Sequence, residues 1–287
     1  MTVDMLLQST ITGISMGLIY TVLALGLVIM FSVMNIINFA HGAIYMLGAY
    51  GIFYFFHLWG VSFPAALILT IVLLGLLGVL VERLIYRPTS KNIYAVCVAL
   101  LGLTILIESI AWLIFGIRDK HVPALFTQTI QLGNVFLPAD KIAAIGMSLP
   151  FIASLFIIIY KTKFGRAMRA IEQNREAAAL KGVNIGRVNA FVFGLGFLLA
   201  GVAGGLVAPL YIINPSIGGS PLLKAFIIII IGGMGSFPGA ILGGLLIGLV
   251  DSIVGTAGGA DLAYLVSYAA IILILWVKPT GLLGNEQ

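Results

Sequence analysis

The chain has 287 residues, of which 61% are apolar and 9% charged, against about 45–50% and about 25% in soluble domains. That balance excludes a soluble enzyme or binding module, and a single cysteine, Cys97, excludes a disulfide framework or a cysteine-rich metal site. The net charge of +5 rests on 15 lysines and arginines; in so apolar a chain it is a topology signal, not a nucleic-acid surface.

At about 20 residues per crossing, the composition predicts an all-α, polytopic membrane bundle of about eight or nine segments, forming one domain over 1–287. The start, Met1-Thr2-Val3-Asp4, carries an acid where a signal peptide carries basic residues, so the first apolar run, 6–32, is expected to stay uncleaved. The second run, 39–58, is preceded by Asn35 and Asn38 and holds His41 near its start. Polar groups in apolar runs are expensive, so these three are pathway candidates. Asn38 and His41 share a face if that stretch is helical; they then either bond a passing solute or hold a broken helix in shape.

Runs at 63–85 and 93–117 follow. Glu108 stands mid-way in the second of them, where a carboxylate must face protein or water. It is either a structural partner or a further pathway residue. Cys97 is expected to be a small buried apolar residue. The loop at 118–141 holds Ile130-Gln131-Leu132 and Val135-Phe136-Leu137 around Gly133-Asn134, which reads either as a short hairpin or as an irregular loop.

After the run at 142–160 comes the one long charged segment, 161–187. Phe164, Met168, Ile171 and Ala178 recur near helical spacing between charged residues, which predicts an amphipathic helix over 163–182 with Gly182 at its C-cap; it is a plain loop helix, a basic helix on anionic lipid whose charge Glu172 and Glu176 dilute, or a docking helix for a soluble partner. Runs at 188–209, 222–234, 237–256 and 262–277 complete the chain. The run Leu222–Met234 is too short to cross a core about 30 Å thick, and Gly232-Gly233-Met234-Gly235-Ser236-Phe237-Pro238-Gly239 follows it. Together they predict a broken or re-entrant helix pair. Lys224 is expected to snorkel outward or to attract an anionic group, and Asp251 and Asp261 to be solvated at a membrane boundary. Glycines four apart, Gly13 and Gly17, Gly201 and Gly205, Gly239 and Gly243, Gly244 and Gly248, are expected at close helix contacts.

Basic residues set the orientation. Arg83, Arg87 and Lys91 lie in one interhelical stretch, and Lys161, Lys163, Arg166, Arg169, Arg175, Lys181 and Arg187 in another. Two runs separate the stretches, so both are expected in the cytoplasm. The loop 118–141 and the N-terminus are then outside, and the C-terminus inside.

Glu176-Ala177-Ala178, then three residues, then Gly182, resembles the E-A-A-x-x-x-G loop of ABC importer permeases. Asn35-Ile36-Ile37-Asn38-Phe39-Ala40-His41-Gly42, followed by Tyr45-Met46-Leu47-Gly48-Ala49-Tyr50, resembles the N-terminal signature of branched-chain amino-acid permeases of the LivH type. Gly232–Ala240 and Lys278-Pro279-Thr280-Gly281-Leu282-Leu283-Gly284 resemble that family's C-terminal patterns, with Lys278 where arginine is expected.

The resemblance implies a bacterial-type inner-membrane subunit of an ATP-driven importer of leucine, isoleucine and valine. The family also includes transporters of urea and short amides. Its implied partners are a second, similar permease, two cytoplasmic ATPases, an extracytoplasmic binding protein and membrane lipid. The segment 161–187 becomes a coupling helix, with Arg166, Arg169, Glu172, Arg175, Glu176, Ala177, Ala178 and Gly182 as its ATPase-coupling residues. Motion of that docked helix rocks the attached spans in alternating access. The sequence has no G-x-x-x-x-G-K-[ST] phosphate loop, so ATP and Mg are expected on the partner ATPases, and no cofactor, metal or catalytic residue on this chain. A water channel needs a second Asn-Pro beside Asn214-Pro215. A secondary transporter needs embedded acids and an internal repeat, and an intramembrane enzyme a paired nucleophile and base.

Overall fold

A computed structural model describes residues 2–126, 128–132, 135–278 and 281–283. Every apolar run falls on a helix. Helix α1 (Val3–Met34) is capped by the Thr2 hydroxyl and ends at Asn35, in the left-handed region at φ 53°. Helix α2 (His41–Ile52) continues through a π-helical turn, Phe53–Leu58. Helix α3 (Phe63–Val81), with Pro64 in its first turn, runs through a second π turn, Glu82–Tyr86, into the single turn α4 (Arg87–Thr89). Helix α5 (Ile93–Phe115) starts at Asn92, whose side chain accepts from Tyr94 and Ala95 N–H groups.

Strands β1 (Thr129–Leu132) and β2 (Val135–Pro138) pair antiparallel, Ile130 opposite Leu137, which decides for the hairpin over the irregular loop. The turn residues Gly133 and Asn134 lie outside the described residues. Helices α6 (Ala139–Lys161), α7 (Lys163–Gln173), α8 (Arg175–Leu180), α9 (Ile185–Val207), α10 (Gly219–Gly232), α11 (Phe237–Gly258) and α12 (Ala260–Val277) complete the chain. Among the described residues, six helices are long and apolar enough to cross a membrane: α1, α5, α6, α9, α11 and the composite Phe63–Thr89.

Helices α1 and α9 form the centre. The most apolar window of α1 is 89% buried, whereas that of α5 is 11% buried. Helix α1 packs on α11 through paired glycines: Gly17 meets the Gly244 carbonyl and Gly13 the Gly248 carbonyl. Gly239 of α11 abuts Gly232 of α10, and Gly243 the Ile228 carbonyl. Gly201 and Gly205 of α9 lie against Leu74 and Leu67 of α3, and Gly48 of α2 against the Gly201 carbonyl. These close approaches fix the helix packing without long side chains at the seam.

The bundle has two different ends. At one, the N-terminal part of α1 meets the hairpin, where Gln8 donates to the Phe136 carbonyl at 3.0 Å. There Lys120 and Ile213 exchange two backbone hydrogen bonds of 2.9 Å, tying the loop 118–141 to the segment 208–218. The other end is basic. Glu82 pairs with Arg87 at 3.2 Å, the Arg87 guanidinium stands beside Gly186, and Arg175 reaches the Tyr86 hydroxyl. The two basic stretches thus share one end.

Candidate functional site

Two helices begin inside the bundle, not at its surface. Helix α2 starts at His41, whose Nε2 bonds the Leu23 carbonyl at 3.0 Å, well within α1. Helix α10 starts at Gly219, and Gly218 and Gly42 touch backbone to backbone: a Cβ at Gly218 would lie 2.0 Å from the Gly42 carbonyl oxygen. Irregular backbone, 35–40 and 208–218, leads into each helix. Such backbone needs its own hydrogen-bond partners at this depth. Asn38 Oδ1 accepts from the Ala40 N–H at 3.0 Å, and Asn214 Oδ1 from the Ser216 N–H at 3.1 Å.

Beside the start of α10 lies a cavity of about 610 Å3. Its walls are Thr12, Met16 and Tyr20 of α1, Tyr45 of α2, Tyr211, Ile212 and Ile217, Ser220 and Lys224 of α10, Asp251, Ser252 and Thr256 of α11, and Tyr264 of α12. Lys224 is ion-paired with Asp251. It also donates to the Tyr20 hydroxyl at 3.2 Å and lies 4.9 Å from the centroids of the Tyr20 and Tyr264 rings. Ser267 donates to Asp251 Oδ1 at 3.1 Å, and Ser220 and Tyr264 share a hydrogen bond of 2.9 Å.

Toward the basic end, a smaller apolar groove of about 270 Å3 is lined by Leu27 and Phe31 of α1, Ile36, Ile37 and Phe39, and Phe226, Ile229, Ile230 and Met234. Thr12, Met16, Tyr20, Leu27 and Phe31 follow helical spacing, so cavity and groove share one stripe of α1.

At the basic end the charged segment folds as two helices, not one over 163–182. The chain is extended at Asn174, and its Oδ1 accepts from the Ala177 N–H at 2.9 Å, which caps α8 and stops α7. This is the behaviour of asparagine at an N-cap. Thr162 caps α7 by accepting from the Gly165 N–H at 3.1 Å. Met168, Ile171 and Ala178 are buried, and Phe164 stacks on Phe191 at 4.6 Å. Arg169 donates to the Ile159 carbonyl and lies over the Tyr160 ring.

Glu172 is exposed overall, with its carboxyl half-buried beside Ser32 near the end of α1. Burial pushes that carboxyl above its ordinary range; the Ser32 hydrogen bond and the Arg169 charge pull it down. The same Ser32 hydroxyl donates to the Gly235 carbonyl at 3.2 Å. Helix α7 is thereby joined to α1 and to the turn between α10 and α11. Arg166, Arg175, Glu176, Ala177 and Gly182 are exposed, and Leu180 is 89% exposed among them.

The profile of the family described as "Branched-chain amino acid transport system / permease component" matches residues 9–275. The chain belongs to this family. It is 33% identical to the high-affinity branched-chain amino acid transport system permease protein LivH of Escherichia coli (strain K12), over 98% of this chain and 96% of that one. It is 30% identical to the permease protein BraD of Pseudomonas aeruginosa, with the same coverage. Among solved structures, PsaBC from Streptococcus pneumoniae in complex with Fab superposes with a TM-score of 0.50 at 14% identity, covering 96% of this chain and 92% of that one. That likeness concerns the fold.

In this permease the residues singled out from sequence do not gather at one place. His41 and Asn38 are fully buried, but Asn38 precedes α2, so the two share no helix face; Asn38 Nδ2 points to Met30 Sδ at 3.4 Å. Asn35 is the exposed cap of α1. Glu108 sits half-exposed on α5, with no hydrogen-bond or ion-pair partner among the described residues, and Cys97 is half-exposed on the same helix rather than buried. None of these lines the cavity.

The cavity's own charged pair reverses two expectations. Lys224 does not snorkel outward, and Asp251 is not freely exposed: Lys224 is buried and pairs with a part-buried Asp251. Asp261 is exposed, as expected. The signal for the pair was present as a lysine and an aspartate on consecutive apolar helices. Hydropathy alone could not say that α10 and α11 turn those two faces together.

Proposed function

We propose that this permease is the membrane-spanning subunit of an ATP-driven ABC importer that takes branched-chain amino acids from an extracytoplasmic binding protein into the cell. End-to-end identity to branched-chain amino-acid permeases carries this reading. The N-terminus, the hairpin and the segment 208–218 face the binding protein; the basic end and the C-terminus face the cytoplasm. Basic residues gathered at one end support this orientation. The chain then crosses the membrane nine times. Its seventh crossing is made of the irregular segment 208–218 and the 14-residue α10.

Helices α7 and α8 are the coupling element. Their exposed face, with the apolar Leu180 among Arg175, Glu176 and Lys181, suits a groove on a soluble ATPase, which binds ATP and Mg. A second, similar permease completes the pathway. Closure of the ATPases displaces α7, and the Glu172–Ser32–Gly235 contacts transmit the displacement to α1 and the α10–α11 hairpin. The solute path runs from the cavity past the meeting of α2 and α10 to the apolar groove. Asn38 and His41 shape that constriction, and Glu108 faces a partner or water.

The test is uptake of labelled leucine, isoleucine and valine by cells with this chain deleted and restored, with and without the neighbouring ATPase and binding-protein genes. Uptake should require all three. Uptake by this chain alone, or uptake of urea or amides only, overturns the reading.

A further inference from the structure

We propose that Lys224 and Asp251 form a binding site for the two charged ends of an α-amino-acid zwitterion inside the permease, Lys224 taking the carboxylate and Asp251 the ammonium group. The proposal rests on the amino-acid-import reading and names the place within the chain where the solute is held.

The pair is poorly explained as structural support. Its side chains are 11% and 13% exposed, and a buried ion pair is commonly replaced by apolar residues without loss of stability. The α10–α11 hairpin already closes on glycine contacts at Gly232, Gly239 and Gly243. What the pair does have is position. It forms part of the wall of the 610 Å3 cavity, a volume within the about 300–1,000 Å3 of small-molecule sites.

Charge balance points to the ligand. Lys224 and Asp251 are the only Lys, Arg, His, Asp or Glu residues among the described cavity wall. With the cavity empty of solute they neutralise each other. A zwitterion presents the same two charges in the opposite sense. It exchanges one internal pair for two external ones, and no charge is left unpaired at any stage, which is the expensive condition in a buried site. A lone amine or a lone carboxylate leaves one member of the pair without a counter-charge.

The neighbours permit the exchange. When the pair parts, Lys224 keeps the Tyr20 hydroxyl at 3.2 Å and two ring faces at 4.9 Å, and Asp251 keeps the Ser267 hydroxyl at 3.1 Å. Met16, Val207, Ile212 and Ile217 supply an apolar wall for an aliphatic side chain.

The experiment uses the whole importer, purified from its native membrane and reconstituted in liposomes with its binding protein. The double variant Lys224→Met/Asp251→Leu removes both charges and leaves none unpaired. We expect it to assemble at the wild-type yield and to take up leucine at least about tenfold more slowly, whereas an assembled variant within about twofold of wild type overturns the site. If the double variant does not assemble, wild-type importer without the binding protein decides instead. Labelled leucine should bind it and be displaced by leucine, but not by 3-methylbutylamine or 4-methylpentanoate. Equal displacement by either single-charge analogue overturns the site. A wild-type importer that takes up no branched-chain amino acid overturns the import reading itself, an outcome distinct from normal uptake by both proteins.

Discussion

Gly248 of α11 stands against Gly17 of α1 with no room for a side chain: a Cβ at position 248 would lie 2.3 Å from the Gly17 Cα and 2.4 Å from the Gly13 carbonyl oxygen. The obstacle is backbone, which cannot rotate away as a side-chain tip can. Helices α1 and α11 therefore meet at a distance that only glycine on both sides allows. Gly248→Ala should destabilise the permease by about 1–3 kcal/mol, the range for overpacking a close contact. Thermal unfolding in detergent measures this. An unchanged midpoint would show that α1 and α11 are not packed this closely.

A second prediction separates the loss of one charge from the loss of two. Lys224→Met alone strands the buried Asp251 carboxylate, and removing one partner of a buried pair costs about 3–5 kcal/mol. Adding Asp251→Leu should recover most of that loss. The double-mutant cycle is read from the same unfolding experiment. If the single and double variants are equally unstable, the two side chains are not paired in the folded protein.

The apolar runs were legible because crossing a hydrocarbon core requires length and hydropathy, and both are local properties. The hairpin was legible from Gly133-Asn134 between two apolar triplets. The break in the charged segment 161–187 was missed, although Asn174 is a good N-cap residue: hydrophobic periodicity runs on through the break, with Ile171 and Ala178 both buried. Lys224 and Asp251 were misplaced for a different reason. Their pairing depends on the rotation of α10 about its axis relative to α11, and no local pattern records that rotation. The interior starts of α2 and α10 fall between these cases. The short run and its glycines marked α10, but nothing in the run 39–58 showed that His41 begins its helix beside Leu23.

Glu172 gives a pH dependence with a definite sign. Ser32 has one hydroxyl proton, and it donates to the Gly235 carbonyl at 3.2 Å. An ionised Glu172 competes with Gly235 for that proton; a protonated one does not. Burial, the largest influence, holds the carboxyl above its ordinary range, against the opposing pull of Ser32 and Arg169. The folded state therefore binds the proton more tightly than the unfolded one. Seating of α7 should be full below the ordinary carboxylate range and weaken as pH rises through the raised value. Glu172→Gln mimics the protonated form. Hydrogen exchange of amides 163–173, corrected for intrinsic rates, should show protection falling with pH in the wild type and flat in the variant. Identical slopes would remove Glu172 from this role.

The proposed coupling surface can be tested without disturbing the fold. Leu180 is 89% exposed and Glu176 is exposed beside it, so replacing them changes stability by only about 0.5 kcal/mol or less. Gly182 differs: its φ of +84° places it in the left-handed region, where a side chain costs about 1 kcal/mol or more. Leu180→Asp puts a charge on the apolar point of the surface, and Glu176→Ala removes the first-turn acid of α8. Both variants should reach the membrane at the wild-type level with an unchanged unfolding midpoint. Both should also lose at least about tenfold in ATPase co-purification, equivalent to 1.4 kcal/mol of docking energy, and lose leucine uptake with it. Gly182→Ala should show the same uncoupling together with a lower midpoint, because it strains the end of α8 as well. If ATPase association and uptake both survive Leu180→Asp and Glu176→Ala, the exposed face of α8 does not dock the ATPase, and the contact must lie on Arg166 and the outer face of α7.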